Sequence, residues 1–167
     1  TVSFTTGIDA TYNEYQFHMV NLHPQTQHAH PQFQVNASND TGGGFDTSVI
    51  TSTFFRAYHN EGGTETNLSY AGTFDQAQGA AYQTLFQSLD NEADDSCSGI
   101  LTLYDPSSTT YVKHFTSTVQ GNHHTSAYSM VIYAAGYINQ TLAIPEISFK
   151  MSSGNIDSGT IHMYGVG

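Results

Sequence analysis

Charge is what this sequence most conspicuously lacks. Lys and Arg together number three (Arg56, Lys113 and Lys150) against 14 Asp and Glu, and charged residues make up 10 % of the chain, where a typical domain carries about 25 %. A nucleic-acid surface needs clustered cations to displace counterions from phosphates, and three scattered ones do not supply it. The same scarcity removes attraction to an anionic bilayer. No apolar run approaches the roughly 20 residues of a spanning helix, so neither nucleic acid nor membrane insertion is expected. The formal net charge of −11 fits solubility, calcium near the surface or a saline setting.

Cysteine is nearly absent. A lone Cys97 gives no intrachain disulfide framework. Its setting in Asp94-Asp-Ser-Cys-Ser-Gly99, at the entrance to an apolar strand, reads as a small half-buried residue without the motif of a catalytic thiol. Tryptophan is missing, and so are the Leu, Lys and Glu runs that favour helices. What is present is aromatic and amide- or hydroxyl-bearing: 11 Tyr and 10 Phe among many Thr, Ser, Asn and Gln, a strand-forming mixture. No signal peptide is visible. The chain begins at Thr1 without Met, which suggests a processed product or part of something longer.

Period-two alternation supplies the architecture. Strands are predicted over 1–6, 15–22 (Tyr15, Phe17 and Met19 on one face), 32–36 and 45–58 (bending near Ser52), with a weak edge strand over 68–70. Further strands are predicted over 98–104, 110–115 and 127–137. Segment 80–89 fits two templates: Tyr82, Leu85, Phe86 and Leu89 have helical spacing, yet alternation fits a strand, and the surroundings favour the strand. The segments 145–152 and 160–167, with Ser153-Gly-Asn-Ile-Asp-Ser-Gly159 between them, read as a closing hairpin that ties the C-terminus into a sheet. With 167 residues, no repeat and no linker, the expectation is one domain over 1–167. It is all-β: a jelly-roll-like antiparallel β-sandwich of about nine to ten strands.

Nine histidines invite a metal reading. His28 and His30 share a strand face if that segment is extended, but the prolines and glutamines around them mark an exposed loop. Asp90 and Asp94 fall in an acidic stretch that starts like a calcium loop, then lacks Gly at its sixth place and Glu at its twelfth. These four are weak candidates, and no metal or other cofactor is expected. His123-His124 reads as solvated loop. His18, His114 and His162 lie mid-strand and are candidates for a subunit interface. Sequons occur at Asn36, Asn39, Asn67 and Asn139, as chance allows in such a composition.

No nucleophile with a base motif, no spaced carboxylate pair and no phosphate-cradling loop occurs, so an enzyme is not expected. The Gly-rich stretch 41–44 reads as a flexible loop. A rigid β scaffold with Tyr-, Asn- and Gln-rich loops suits sugar binding. Phe54, Phe55, Tyr58 and Tyr70 are the candidate glycan contacts, each with the alternative of being core.

The closing segment carries a resemblance. An apolar strand, Ser152-Ser-Gly-Asn155, then Gly159-Thr-Ile-His-Met-Tyr-Gly-Val166 resembles the end of a family of bacteriophage virion proteins. Phe33-Gln-Val-Asn36 with Gly43-Gly-Phe-Asp46 resembles its strand and Gly-rich segment. Gly99-Ile-Leu-Thr-Leu-Tyr-Asp-Pro106 with 110–114 resembles its Lys-containing hairpin, and Ala135-Gly-Tyr-Ile-Asn-Gln-Thr-Leu-Ala-Ile144 its penultimate strand. Tyr12-Asn-Glu-Tyr-Gln-Phe-His-Met-Val-Asn21 is similar to versions in marine phages. The resemblance implies a non-enzymatic, surface-exposed tail-fibre or capsid-decoration domain on the virion surface. Its implied partners are other virion proteins, further copies of itself (a trimer above all) and a host surface glycan. The acidic stretch 90–95 and the histidine load depart from the pattern. A carbohydrate-binding module of a secreted microbial protein is the alternative, and a metal-dependent cupin-like enzyme a weaker third.

Overall fold

The computed structural model describes residues 1–38, 44–45, 48–124 and 128–167. The sequon at Asn39, most of the Gly-rich stretch 41–44 and the predicted strand start at Ala127 lie outside the described residues. There is no helix among the described residues, and 12 strands are formed. They are β1 (Val2–Phe4), β2 (Glu14–Pro24), β3 (Pro31–Asn36), β4 (Ile50–Asn60), β5 (Thr66–Tyr70), β6 (Ala77–Gly79), β7 (Gln83–Thr84), β8 (Cys97–Tyr104), β9 (Lys113–His123), β10 (Tyr128–Ile138), β11 (Glu146–Met151) and β12 (Ile156–Val166). The predicted nine to ten strands are thus exceeded: β6 is a piece too short to show a period, and β7 is the only part of segment 80–89 that forms a strand.

All pairings are antiparallel. A four-stranded sheet runs β1-β11-β3-β7, and a larger sheet runs β12-β2-β8-β9-β10-β4-β5 with β6 also on β4. The chain alternates between sheets over β1 to β4 and again from β11 to β12, which makes the sandwich jelly-roll-like. Alternation decides what lies between the sheets. Tyr15, Phe17 and Met19 of β2, Leu101 and Leu103 of β8, Phe115 and Val119 of β9 and Met130, Ile132 and Ala134 of β10 all enter one buried cluster. Phe33 and Val35 of β3 and Ile147, Phe149 and Met151 of β11 meet them from the small sheet. Phe17 and Phe149 join the layers with ring centroids 5.4 Å apart, and Phe33 and Phe115 with centroids 5.1 Å apart.

The closing hairpin does not form. Met151 pairs with Pro31 in the small sheet, whereas Ile156 pairs with Pro24 in the large one. The segment between them crosses from sheet to sheet, tied to the 25–30 loop where Thr26 Oγ1 donates to the Ser153 carbonyl and Ser152 N donates to the His30 carbonyl. Alternation shows which side of a strand is apolar. It does not show which strand is the hydrogen-bonding neighbour, and two strands facing one core from opposite sheets give the same pattern as a hairpin.

Segment 80–89 is neither helix nor long strand. Leu85, Phe86 and Leu89 are buried in the core, while buried amides hold the backbone in an irregular path. Gln34 Nε2 donates to the carbonyls of Ser48, Ala80 and Ala81. Gln83 accepts from Ser52 Oγ at 2.6 Å and donates to the carbonyls of Phe74 and Thr84. These bonds satisfy the backbone groups that a ladder would otherwise serve.

On the far edge, β12 and β2 carry facing irregularities. Asn21 has φ 50° where the β2–β8 register shifts, and Gly159 has φ 103° within the shifts of β12. A Cβ on Gly159 would lie 2.4 Å from the Asn21 carbonyl oxygen, so only glycine lets the two bulges nest.

Candidate binding surfaces

The outward side chains of the large sheet form a surface that crosses seven strands. Register brings His162, His18, Ile100, Thr118, Tyr133, Phe55 and Tyr70 into one transverse row across seven strands, a span of about 29 Å at the usual strand spacing. Phe55 and Tyr133 are each 41 % exposed, Tyr70 58 % and the neighbouring Leu68 71 %. Phe55 and Tyr133 stack at 5.1 Å with planes 15° apart. Along the outward positions of β2, β8, β9, β10, β4 and β5, Glu14 is the one carboxylate and neither Lys nor Arg occurs. A molecule of net charge −11 therefore carries one large face that is aromatic, hydroxylated and almost uncharged.

The interface candidates divide. His18 and His162 are direct cross-strand partners. Tyr164 packs edge-on against His18 at 4.8 Å, and Gln16 Oε1 lies 2.9 Å from His18 Nε2. His114 is exposed on β9 opposite Tyr137, at the other end of the face and away from that pair. Beyond His162 the outer edge of β12 has no backbone partner among the described residues.

The glycan candidates divide more sharply. Phe54 is fully buried against Phe74 at 5.3 Å and is not a surface contact, because it occupies the inward phase of β4. Phe55 and Tyr70 lie side by side on the outer face as register partners. Tyr70 is held there by a hydrogen bond from its hydroxyl to Asp75 Oδ2. Tyr58 points inward with Arg56. It lines a cleft of about 240 Å³ with Arg56, Gln87, His123, Tyr128 and Met130. Sequence reasoning did not single out Arg56 or Gln87. The signal was there in part, since Arg56 is two residues from Tyr58 and so shares its face.

The metal candidates do not converge. His28 has a left-handed φ of 61°, so the segment is not extended and does not align it with His30. His28 instead packs on His124, and His30 Nδ1 accepts the Ser88 N–H at 2.8 Å. Burial, reinforced by His28, holds the His30 imidazole below its ordinary value. Asp90 and Asp94 do share an acidic cleft with Glu61, Glu92 and Asp95. Asp90 Oδ1 is taken by the Asn91 N–H, and burial first, then Asp90, Asp94 and Glu92, push the Asp95 carboxyl up. Among the described residues no three His, Cys, Asp or Glu side chains are grouped so as to hold a metal ion.

The remaining cations are committed elsewhere. Lys113 is fully buried, its Nζ donating to the carbonyls of Tyr111 at 2.8 Å and Gln140 at 3.1 Å. Lys150 Nζ lies 4.1 Å from the centre of the Tyr82 ring. Burial pushes the Cys97 thiol up to about 12, far from reactive. The Asn36 sequon is buried with its amide on Glu146, whereas Asn67 and Asn139 are exposed. No protein-family model, no curated protein and no solved structure matches this chain.

Proposed function

We propose that the chain is a non-enzymatic structural domain of a bacteriophage virion, displayed on a tail fibre or as a capsid decoration, and that it meets its partners through the outer face of the large sheet. The observation that carries this reading is the almost uncharged outer face, with exposed Phe55, Tyr133, Tyr70 and Leu68 clustered on it, on a strongly acidic molecule. Contiguous exposed apolar surface of this kind marks interaction sites. Copies of an acidic chain repel one another wherever carboxylates meet, so self-association is least opposed across this face. The regular part of the β12 edge, 160–166, adds a second route, because beyond the bulges it carries no Lys, Pro or inward charge to keep another strand away. The particle context and the trimer come from the resemblance of the ordered sequence motifs to those of phage virion proteins.

Two measurements test the reading together: light scattering on the eluting protein, and immunogold labelling of purified phage particles that encode it. Defined oligomers and labelled particles are expected, with association weakened in Tyr133→Asp and His162→Asp variants. A lasting monomer absent from particles overturns the reading. A carbohydrate-binding module is the second reading, favoured by the exposed Phe55/Tyr133 stack with Tyr70 beside it. Binding of neutral glycans by a monomer, lost in Phe55→Ala and retained in Tyr58→Ala, would select it.

A further inference from the structure

Arg56 is the one arginine in a chain with 14 carboxylates, and none of them pairs with it among the described residues. Its Nη1 donates to Gln87 Oε1, and its Nε makes a long contact of 3.4 Å to Ser69 Oγ. A guanidinium has five N–H donors, so three remain without a protein acceptor among the described residues. The group is not loose. The Tyr58 ring lies 5.7 Å from its central carbon, and Tyr128 meets Tyr58 edge-on at 5.0 Å. Both tyrosine hydroxyls are engaged, Tyr128 donating to Glu65 and Tyr58 accepting from Asn67 at 3.4 Å. The rings are thereby fixed as walls, with buried Met130 also lining the cleft.

We infer that this cleft binds an acidic sugar residue, with the sugar carboxylate on Arg56 and the ring against Tyr58 and Tyr128. A planar carboxylate takes two parallel N–H···O bonds from a guanidinium, which a hydroxyl does not. Tyrosine faces offer apolar contact to the ring C–H groups. Gln87 Nε2, which donates to nothing among the described residues, is placed to meet a sugar hydroxyl. The volume of about 240 Å³ lies below the ≈ 300–1,000 Å³ of pockets for drug-sized ligands and suits one ring. A phosphate polymer is disfavoured, since a single cation gives no continuous track. The molecule's negative field opposes any anion at long range, but that field is screened beyond about 8 Å at physiological ionic strength while the guanidinium acts in contact. The cleft is separate from the outer face and does not depend on the virion reading.

The test is titration of the whole chain with methyl β-glucuronide, the methyl glycoside of N-acetylneuraminic acid and, as the neutral control, methyl β-glucoside, following the Arg56 Nε–H resonance by NMR. At least one acidic sugar is expected to shift that resonance saturably and to bind about tenfold or more tightly than the glucoside. The two acids distinguish a uronate from a sialate source. Arg56→Lys is expected to weaken binding about tenfold by losing the bidentate fork, and Gln87→Leu to weaken it with Arg56 intact. Both variants keep the cleft filled, so their folding is checked by the unchanged strand signal in circular dichroism. Equal binding of the neutral glucoside, no shift with either acid, or undiminished binding by Arg56→Lys overturns the inference. Particle labelling is unaffected by any of these outcomes, so failure here and failure of the virion reading remain distinct.

Discussion

Phe54 and Phe55 are adjacent in the chain and lie on opposite faces of one strand, Phe54 packed on Phe74 inside the sandwich and Phe55 stacked on Tyr133 outside it. Their substitutions are expected to separate stability from surface recognition. Phe54→Ala opens a core cavity and is expected to cost about 3–5 kcal/mol. Phe55→Ala removes a half-exposed stack and is expected to cost about 1 kcal/mol or less. Urea midpoints of the two variants check this directly, and equal midpoints would show the strand phase to be wrong.

Lys113 joins two loops from beneath by its bonds to the carbonyls of Tyr111 and Gln140. Burial lowers its ammonium below the ordinary lysine range, partly offset by Asp105. Lys113→Ala loses stem packing and strands two carbonyls, an expected loss of about 2–5 kcal/mol. Lys113→Met keeps the stem and is expected to retain roughly half of that. Thermal denaturation of both variants gives the split.

The pH dependence of stability has two windows of opposite sign. His30 is held below its ordinary value in the folded chain, so between that lowered value and about 6.5 the unfolded chain binds more protons. Stability therefore rises with pH through that window and falls as pH drops through it. Protonation would also end the bond from Ser88 N, since both ring nitrogens then donate. Asp95, raised in the folded chain, gives the reverse from about 3.9 upward: there the folded chain binds more protons and stability falls as pH rises. Urea midpoints between pH 4 and 8 are expected to lose part of the first slope in His30→Gln, the rest belonging to His124, which burial and then His28 also hold low, and to lose the second in Asp95→Asn.

Gly159→Ala is expected to loosen β12 while sparing the core. The substitution meets both a positive φ of 103° and the Asn21 carbonyl oxygen, a cost of about 1–3 kcal/mol. Amide hydrogen exchange is expected to speed up along 156–166 and to stay slow in β8, β9 and β10. Uniform acceleration across the sandwich would count against a local role.

Cys97 is buried with its thiol pushed up to about 12. Labelling by a thiol reagent at neutral pH is expected only at the rate of unfolding, and immediately in denaturant. Rapid labelling of the folded chain would refute that burial.

Legibility followed the physics of each signal. Most long strands were readable because each turns one apolar face to one core, so Tyr15, Phe17 and Met19 announce themselves at a period of two. The exception was β9, expected to end at Phe115 with His123 in a loop, whereas it runs on to His123. Segment 80–89 was not readable, because its buried Leu85, Phe86 and Leu89 plug the sandwich without regular pairing and its backbone is satisfied by the distant Gln34 side chain and by the segment's own Gln83. Phe55 and Tyr70 were singled out from composition and do lie together. Phe54 was named alongside them, although strand phase alone sets it inside. Arg56 and Gln87 stand 31 residues apart, a separation that no local motif bridges.

What the amino-acid sequence determined by itself was the all-β class, the phase of the long strands and the scarcity of cations, since propensity, alternation and net charge are properties of local segments and of the chain's composition. Pairing was decided only in the tertiary structure. Met151 and Ile156 enter different sheets, His18 comes to face His162, and Arg56 is enclosed by Tyr58, Gln87 and Tyr128. The reason is that alternation fixes the direction of a side chain but leaves its neighbour open. Which strands become neighbours depends on how two apolar faces close over one core.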